Sequence, residues 1–200
     1  MSFAEQLRQT ISAIPEGEPF VPAQFLTLGS RVSIDQSLTR LTKAGAVLRV
    51  ARGVYMRPKH GKYAGLVMPE PAAIAASLVK AQGARVEIHG AEAALRFELT
   101  TQVPMQPVFY TSGRSRRVRF GRMQIRLQHA GPRRFALAGR PAGVALNALR
   151  HIGRENVTPQ VIGKIKRQLP PAEFEALRQA STSMPAWLAE ALNLESRTHA

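Results

Sequence analysis

An α+β fold is what three features of this 200-residue chain predict. Apolar residues recur at helical spacing near the N-terminus and through the last third of the chain. Short apolar runs rich in Val, Tyr and Phe fall between them, and Gly and Pro mark the changes from one pattern to the other. At 44% hydrophobic residues the chain can bury a core without help.

"FAEQLRQTISAI" puts Phe3, Leu7, Ile11 and Ile14 on one face of a helix that Pro15 and Gly17 stop. "VPAQFLTLGS" reads as a second, short helix with Pro22 in its first turn and Gly29 at its end. Ser33 followed three residues later by Gln36 fits a capping box, so a third helix is expected from about Ser33 to Ala44, stopped by Gly45. On that helix Ile34, Leu38 and Leu41 share a dry face, leaving Asp35, Gln36, Ser37, Thr39, Arg40 and Lys43 to project away from the core. "AVLRV" and "GVYMR", separated by "ARG", predict a two-stranded hairpin with Gly53 in the turn and Tyr55 in the core beneath it.

"PKHGKYAGLVMP", residues 58–69, reads as a linker and puts a boundary near residue 63, giving expected domains of 1–63 and 64–200. Beyond it a helix opens at Pro69 and Pro71 and turns Ile74, Leu78 and Val79 to a core. "RVEIHG" predicts a strand, "AEAALRFEL" a helix, "PVFYTSG" a strand, and "RRVRFGRMQIRLQHA" a hairpin or bent strand pair. The rest is helical: "AGVALNALRHIG", "TPQVIGKIKRQL", "PAEFEALRQAS" and "PAWLAEALNLE".

Helix, helix, short turn, helix and two-stranded hairpin is the order of a winged helix-turn-helix, followed here by a mixed α/β C-terminal domain ending in helices. In that arrangement a helix enters the major groove and a basic hairpin lies over the adjacent backbone. Ser33, Gln36, Thr39, Arg40 and Lys43 are therefore expected to face double-stranded DNA, and Arg49 and Arg52 to hold phosphate. Gln36 and Arg40 are the sequence readers, because Gln can bond adenine and Arg can bond guanine through two contacts at once. Ser33 has a competing task as the helix cap.

The charge of +15 is unevenly spread. Residues 1–63 carry nine basic and four acidic side chains, whereas 99–154 carry eleven arginines and no acid. Such an excess attracts a polyanion or an acidic surface. Within it "TSGRSRRVRFGR" offers Arg114, Arg116, Arg117 and Arg119 along an alternating strand, a strip suited either to several phosphates or to an acidic protein.

"LTRLTKAGAVLRVARGVYMRP" resembles the winged-helix region of type IV abortive-infection (AbiEi-like) antitoxins and related transcriptional regulators, with a leucine-rich helix, a glycine and an arginine-glycine-valine-tyrosine wing. "IHGAEAALRFELTTQVPMQPVFYTSGRSRRVRFGRMQIRLQHA" is similar to the second domain of a subgroup of that family. Together these stretches cover about residues 30–150. The resemblance implies a DNA-binding autorepressor, often encoded beside a nucleotidyltransferase-like toxin. A homodimer is expected because operators are often palindromic.

The sequence argues against an enzyme. A nuclease or nucleotidyl transferase needs clustered carboxylates to hold metal ions. Beyond the first domain there is no aspartate, and only Glu87 and Glu92, flanking a turn beside His89, come close together. No phosphate loop of the GxxxxGK type occurs. With no cysteine and with five scattered histidines, no metal site or cofactor is expected. An RNA-binding module, or a protein-interaction module that turns the arginine strip on an acidic partner, is the alternative. The N-terminus is amphipathic and carries acids, and no apolar run reaches the ~18 residues of a membrane span, so the cytoplasm is the expected location.

Overall fold

A computed structural model describes residues 2–63 and 65–197. The chain is mixed α and β and forms two compact units, one of residues 1–84 with 117–125, the other of residues 85–116 with 126–200.

The first unit opens with α1 (Phe3–Ser12), started by a capping box in which Ser2 and Glu5 satisfy each other's backbone N–H groups. Leu7 and Ile11 are buried, with Phe3 and Ile14 packed at the margin of the same core. After β1 (Pro19–Phe20), the expected second helix is a single 3-10 turn, Pro22–Phe25. It is short because its anchor comes at once: Phe25 is buried edge-on to Phe20, with ring centroids 5.7 Å apart. The chain then turns so that Gly29 lies against the Phe3 ring, where a Cβ would come within 2.6 Å of a ring carbon.

α2 (Arg31–Lys43) starts earlier than the sequence suggests. Ser30, not Ser33, is the cap: its backbone is extended and its hydroxyl accepts from the Ser33 N–H at 3.2 Å, which leaves Ser33 inside the first turn and Gln36 outside any capping box. Ile34 and Leu38 are fully buried, Leu41 packs at the edge, and Gly45, at φ +71°, ends the helix region.

β2 (Leu48–Ala51) and β3 (Val54–Met56) form the expected hairpin through Arg52 and Gly53, the latter at φ +74°. β1 adds to the other side of β3, giving an antiparallel sheet in the order β1-β3-β2. A register shift between Arg49 and Ala51 marks a bulge. Tyr55 is buried and stacks on Phe20 at 6.2 Å, as a core residue beneath the hairpin. Arg57 is structural: its guanidinium donates to the carbonyl oxygens of Ser12 (2.9 Å) and Ile14 (2.8 Å), tying the end of β3 to the end of α1.

The stretch expected to be a linker contains a second small ribbon, β4 (His60–Gly61) with β5 (Gly65–Leu66). α3 (Pro71–Lys80) then buries Ile74, Ala75, Leu78 and Val79 and packs on β1 and β3, with the Ser77 hydroxyl donating to the Pro19 carbonyl at 2.7 Å. That packing carries the first compact unit to residue 84, beyond the boundary expected near residue 63.

β6 (Val86–Ile88), β7 (Val108–Thr111), β8 (Arg116–Phe120) and β9 (Met123–His129) make a sheet in the order β6-β7-β9-β8. β6 and β7 run antiparallel, whereas β7 and β9 are parallel, from Val108 opposite Arg126 to Thr111 opposite His129. β8 and β9 are joined by a turn containing Gly121, at φ +54°. The helices of the second unit are α4 (Gly90–Arg96), α5 (Pro141–Ile152), α6 (Pro159–Gln168), α7 (Pro171–Gln179) and α8 (Ala186–Arg197). Their core gathers Ile88, Phe97, Leu146, Leu149, Ile165, Leu177 and Leu188. Among the described residues, no helix is long and apolar enough to cross a membrane.

Candidate nucleic-acid interface

Burying Ile34 and Leu38 forces the opposite face of α2 outward. Val32, Asp35, Gln36, Thr39, Arg40 and Lys43 lie together along that open face. Their side chains are not equivalent. Thr39 donates its hydroxyl to the Asp35 carbonyl at 2.8 Å, the Asp35 carboxylate is paired with Arg31 at 2.9 Å, and the Ser33 and Ser30 hydroxyls share a hydrogen bond at 2.9 Å. Gln36, Arg40 and Lys43 are exposed, and among the described residues no protein group engages their polar atoms. They present one amide, one guanidinium and one ammonium over two turns of a rigid helix.

Arg49 and Arg52 are exposed on the β2–β3 hairpin, the first on a strand and the second in the turn, and both are equally unengaged. The hairpin is fixed to α2 through the core they share, in which Val47 and Tyr55 join Ile34 and Leu38. Of the set expected from the sequence in the first unit, Gln36, Thr39, Arg40, Lys43, Arg49 and Arg52 are exposed and Ser33 is half-buried, and the Ser33 and Thr39 hydroxyls are occupied by local hydrogen bonds.

The arginine strip divides. Along β8 exposure alternates, so Arg117 and Arg119 stand on the open side, while Arg116 is half-buried on the side of Val118 and Phe120. Burial pushes the Arg116 guanidinium pKa down. Arg114 is exposed in the loop before the strand. Alternation therefore places two of the four arginines, Arg117 and Arg119, on one strand face.

Two features escaped the sequence reading. Val32 is 66% exposed beside Gln36, an apolar contact of the kind that suits a thymine methyl. A helix expected to start at Ser33 leaves Val32 outside it, whereas the Ser30-x-x-Ser33 spacing signals the true start. The β4–β5 ribbon carries Lys62 and a 90% exposed Tyr63, with the Lys62 ammonium 5.3 Å from the Tyr63 ring centre. Gly61 and Gly65 flanking a basic, aromatic pair were its signal.

Glu87 and Glu92, the carboxylates beside His89, each have a partner within the fold. Glu87 is buried, its carboxylate accepts from the Gly139 N–H, and burial raises its pKa despite that bond. Glu92 pairs with Arg96 one turn along α4. His89 caps α4, its Nδ1 accepting from the Ala91 N–H at 3.2 Å. Among the described residues, which exclude His199, no group of three or more His, Cys, Asp or Glu could hold a metal ion.

The chain is thus defined by an α+β scaffold carrying an exposed, unengaged basic helix face and a basic hairpin. Residues 6–177 match the family of unknown function DUF6088, and the chain belongs to that family. Comparison with curated proteins finds no match.

Proposed function

We propose that this protein is a sequence-specific, double-stranded DNA-binding regulator built on a winged helix-turn-helix. Its most natural role is as an autorepressing antitoxin of a type IV toxin–antitoxin operon in the cytoplasm. The carrying observation is the face of α2, where Gln36, Arg40 and Lys43 are exposed together with no protein partner among the described residues. An unsatisfied amide and guanidinium on a rigid helix are the groups that read adenine and guanine edges, and Arg49 and Arg52 on the hairpin supply phosphate contacts.

The antitoxin role rests on the resemblance of residues 30–150 to that family, and a nucleotidyltransferase-like toxin is the partner it implies. A homodimer would match a palindromic operator. The protein acts by binding, without a catalytic centre or cofactor.

The test is binding to the DNA upstream of the protein's own reading frame against a scrambled duplex, at several salt concentrations. Selective binding is expected, and Arg40→Ala should relax preference at one base position at a cost of about 1 to 3 kcal/mol. Equal binding to both duplexes, or an Arg40→Ala protein that keeps full preference, would remove α2 as the reading element.

A further inference from the structure

We propose that the second unit holds a discrete binding site for a small phosphate-bearing anion, in the hollow lined by Gly131, Pro132, Arg133, Arg134 and Arg150. It shares no residue with the exposed face of α2. The hollow has a volume of about 520 Å³, room for a diphosphate with a substituent. Three arginines line it from two elements: Arg133 and Arg134 from the 3-10 helix Pro132–Phe135, and Arg150 from the last turn of α5.

Two of these side chains, Arg134 and Arg150, are held in place, while Arg133 is exposed at the rim. The Arg134 guanidinium lies 4.5 Å from the Tyr110 ring centre and donates to the Asn147 Oδ1 at 3.2 Å. Asn147 is 1% exposed and fixed in turn by donating to the Ile88 carbonyl at 3.3 Å. Arg150 donates to the Ser183 carbonyl. A buried amide that orients one arginine and a carbonyl that orients another give a preset geometry, which lowers the cost of closing on a ligand.

What the site lacks is a counter-charge. Among the described residues no carboxylate pairs with Arg133, Arg134 or Arg150. Burial, and then the charge of Arg134, push the Arg150 pKa down to about 10. His89, whose ring centre is 4.8 Å from that of Tyr110 and 5.7 Å from that of His151, is pushed down by burial and by the charges of His151, Arg134 and Arg126. A bound dianion would offset the repulsion among these cations. Three arginines around one hollow fit a single phosphate or diphosphate, whereas a nucleic-acid backbone is better served by charges spread along a strand.

The test is calorimetric titration of the full chain with inorganic pyrophosphate at fixed ionic strength, alongside NMR of the histidine rings. One saturable site is expected, with the His89 pKa rising on binding. Arg133→Gln, an exposed change that leaves the core intact, and Arg134→Gln should each weaken binding about tenfold. Arg40→Ala should leave it unchanged. Absence of saturable binding, or binding indifferent to both glutamine variants, overturns the site. Loss of duplex binding in those variants with no pyrophosphate binding also overturns it, and assigns the hollow to nucleic acid.

Discussion

His89 shows how much one side chain can be asked to do. Its Nδ1 lone pair receives the Ala91 N–H at the start of α4, a role open only to the neutral ring. Its folded pKa lies below the usual histidine value, through burial first and then the neighbouring cations. The unfolded state therefore binds the proton more readily, so stability is full above pH ~6.5 and falls as the pH drops through that value. His89→Asn keeps an acceptor at the cap without the titration. Its unfolding midpoint in urea should fall less between pH 7 and pH 5 than that of the parent, while His89→Ala should lose about 1 kcal/mol even at neutral pH. An equal acid loss in His89→Asn would show that other groups set the pH dependence.

At the scale of elements, α4 and α5 illustrate packing that depends on what is missing. Gly90 stands where a Cβ would meet the His151 Cβ at 2.5 Å and the Asn147 carbonyl oxygen at 2.7 Å. Ala93 and Ala94 on α4, with Ala145 and Ala148 on α5, are fully buried. The two helices approach closely because their side chains are small, and there is no flexible neighbour to yield. Gly90→Ala should cost about 1 to 3 kcal/mol in chemical denaturation, and Gly131→Ala, where a Cβ meets nothing within 4 Å, should cost far less. Equal losses at both sites would refute the close-approach argument. The elements themselves were largely readable: Ile34 and Leu38, Ile74 and Leu78, and Val118 alternating with Phe120 announced their periods. The parallel pairing of β7 with β9 was not readable, because periodicity specifies a strand but not its neighbour. The start of α2 was missed for a local reason, since two serines three residues apart both fit a cap and only backbone conformation chooses Ser30. Of the candidate interface, the residue types were legible in the sequence; which of them are spoken for, as Thr39 and Ser33 are, depended on where neighbouring carbonyl and hydroxyl groups lie.

For the molecule as a whole, the surplus of cations governs how binding responds to salt. Arg117 and Arg119 are exposed on one strand side within the eleven-arginine stretch. If they neutralise two phosphates, replacing both with Ala should lower the slope of log K against log salt by about 2. Operator and scrambled duplex should weaken alike. A slope that does not move would assign the strip to an acidic protein surface, and co-purification with the neighbouring gene product would then be the informative assay.

The first compact unit is not a continuous piece of chain. Residues 117–125, with Phe120 and Ile125 buried, belong to it although they follow thirty-two residues of the second unit, 85–116. A ribosome making the chain from its N-terminus cannot finish that unit when residue 84 emerges. It waits for the arginine-rich hairpin, a delay on the order of seconds at ordinary elongation rates. During that interval α2 and its hairpin are already synthesised but their unit is incomplete, so a message cut short before residue 117 would yield the exposed face of α2 on an unfinished support.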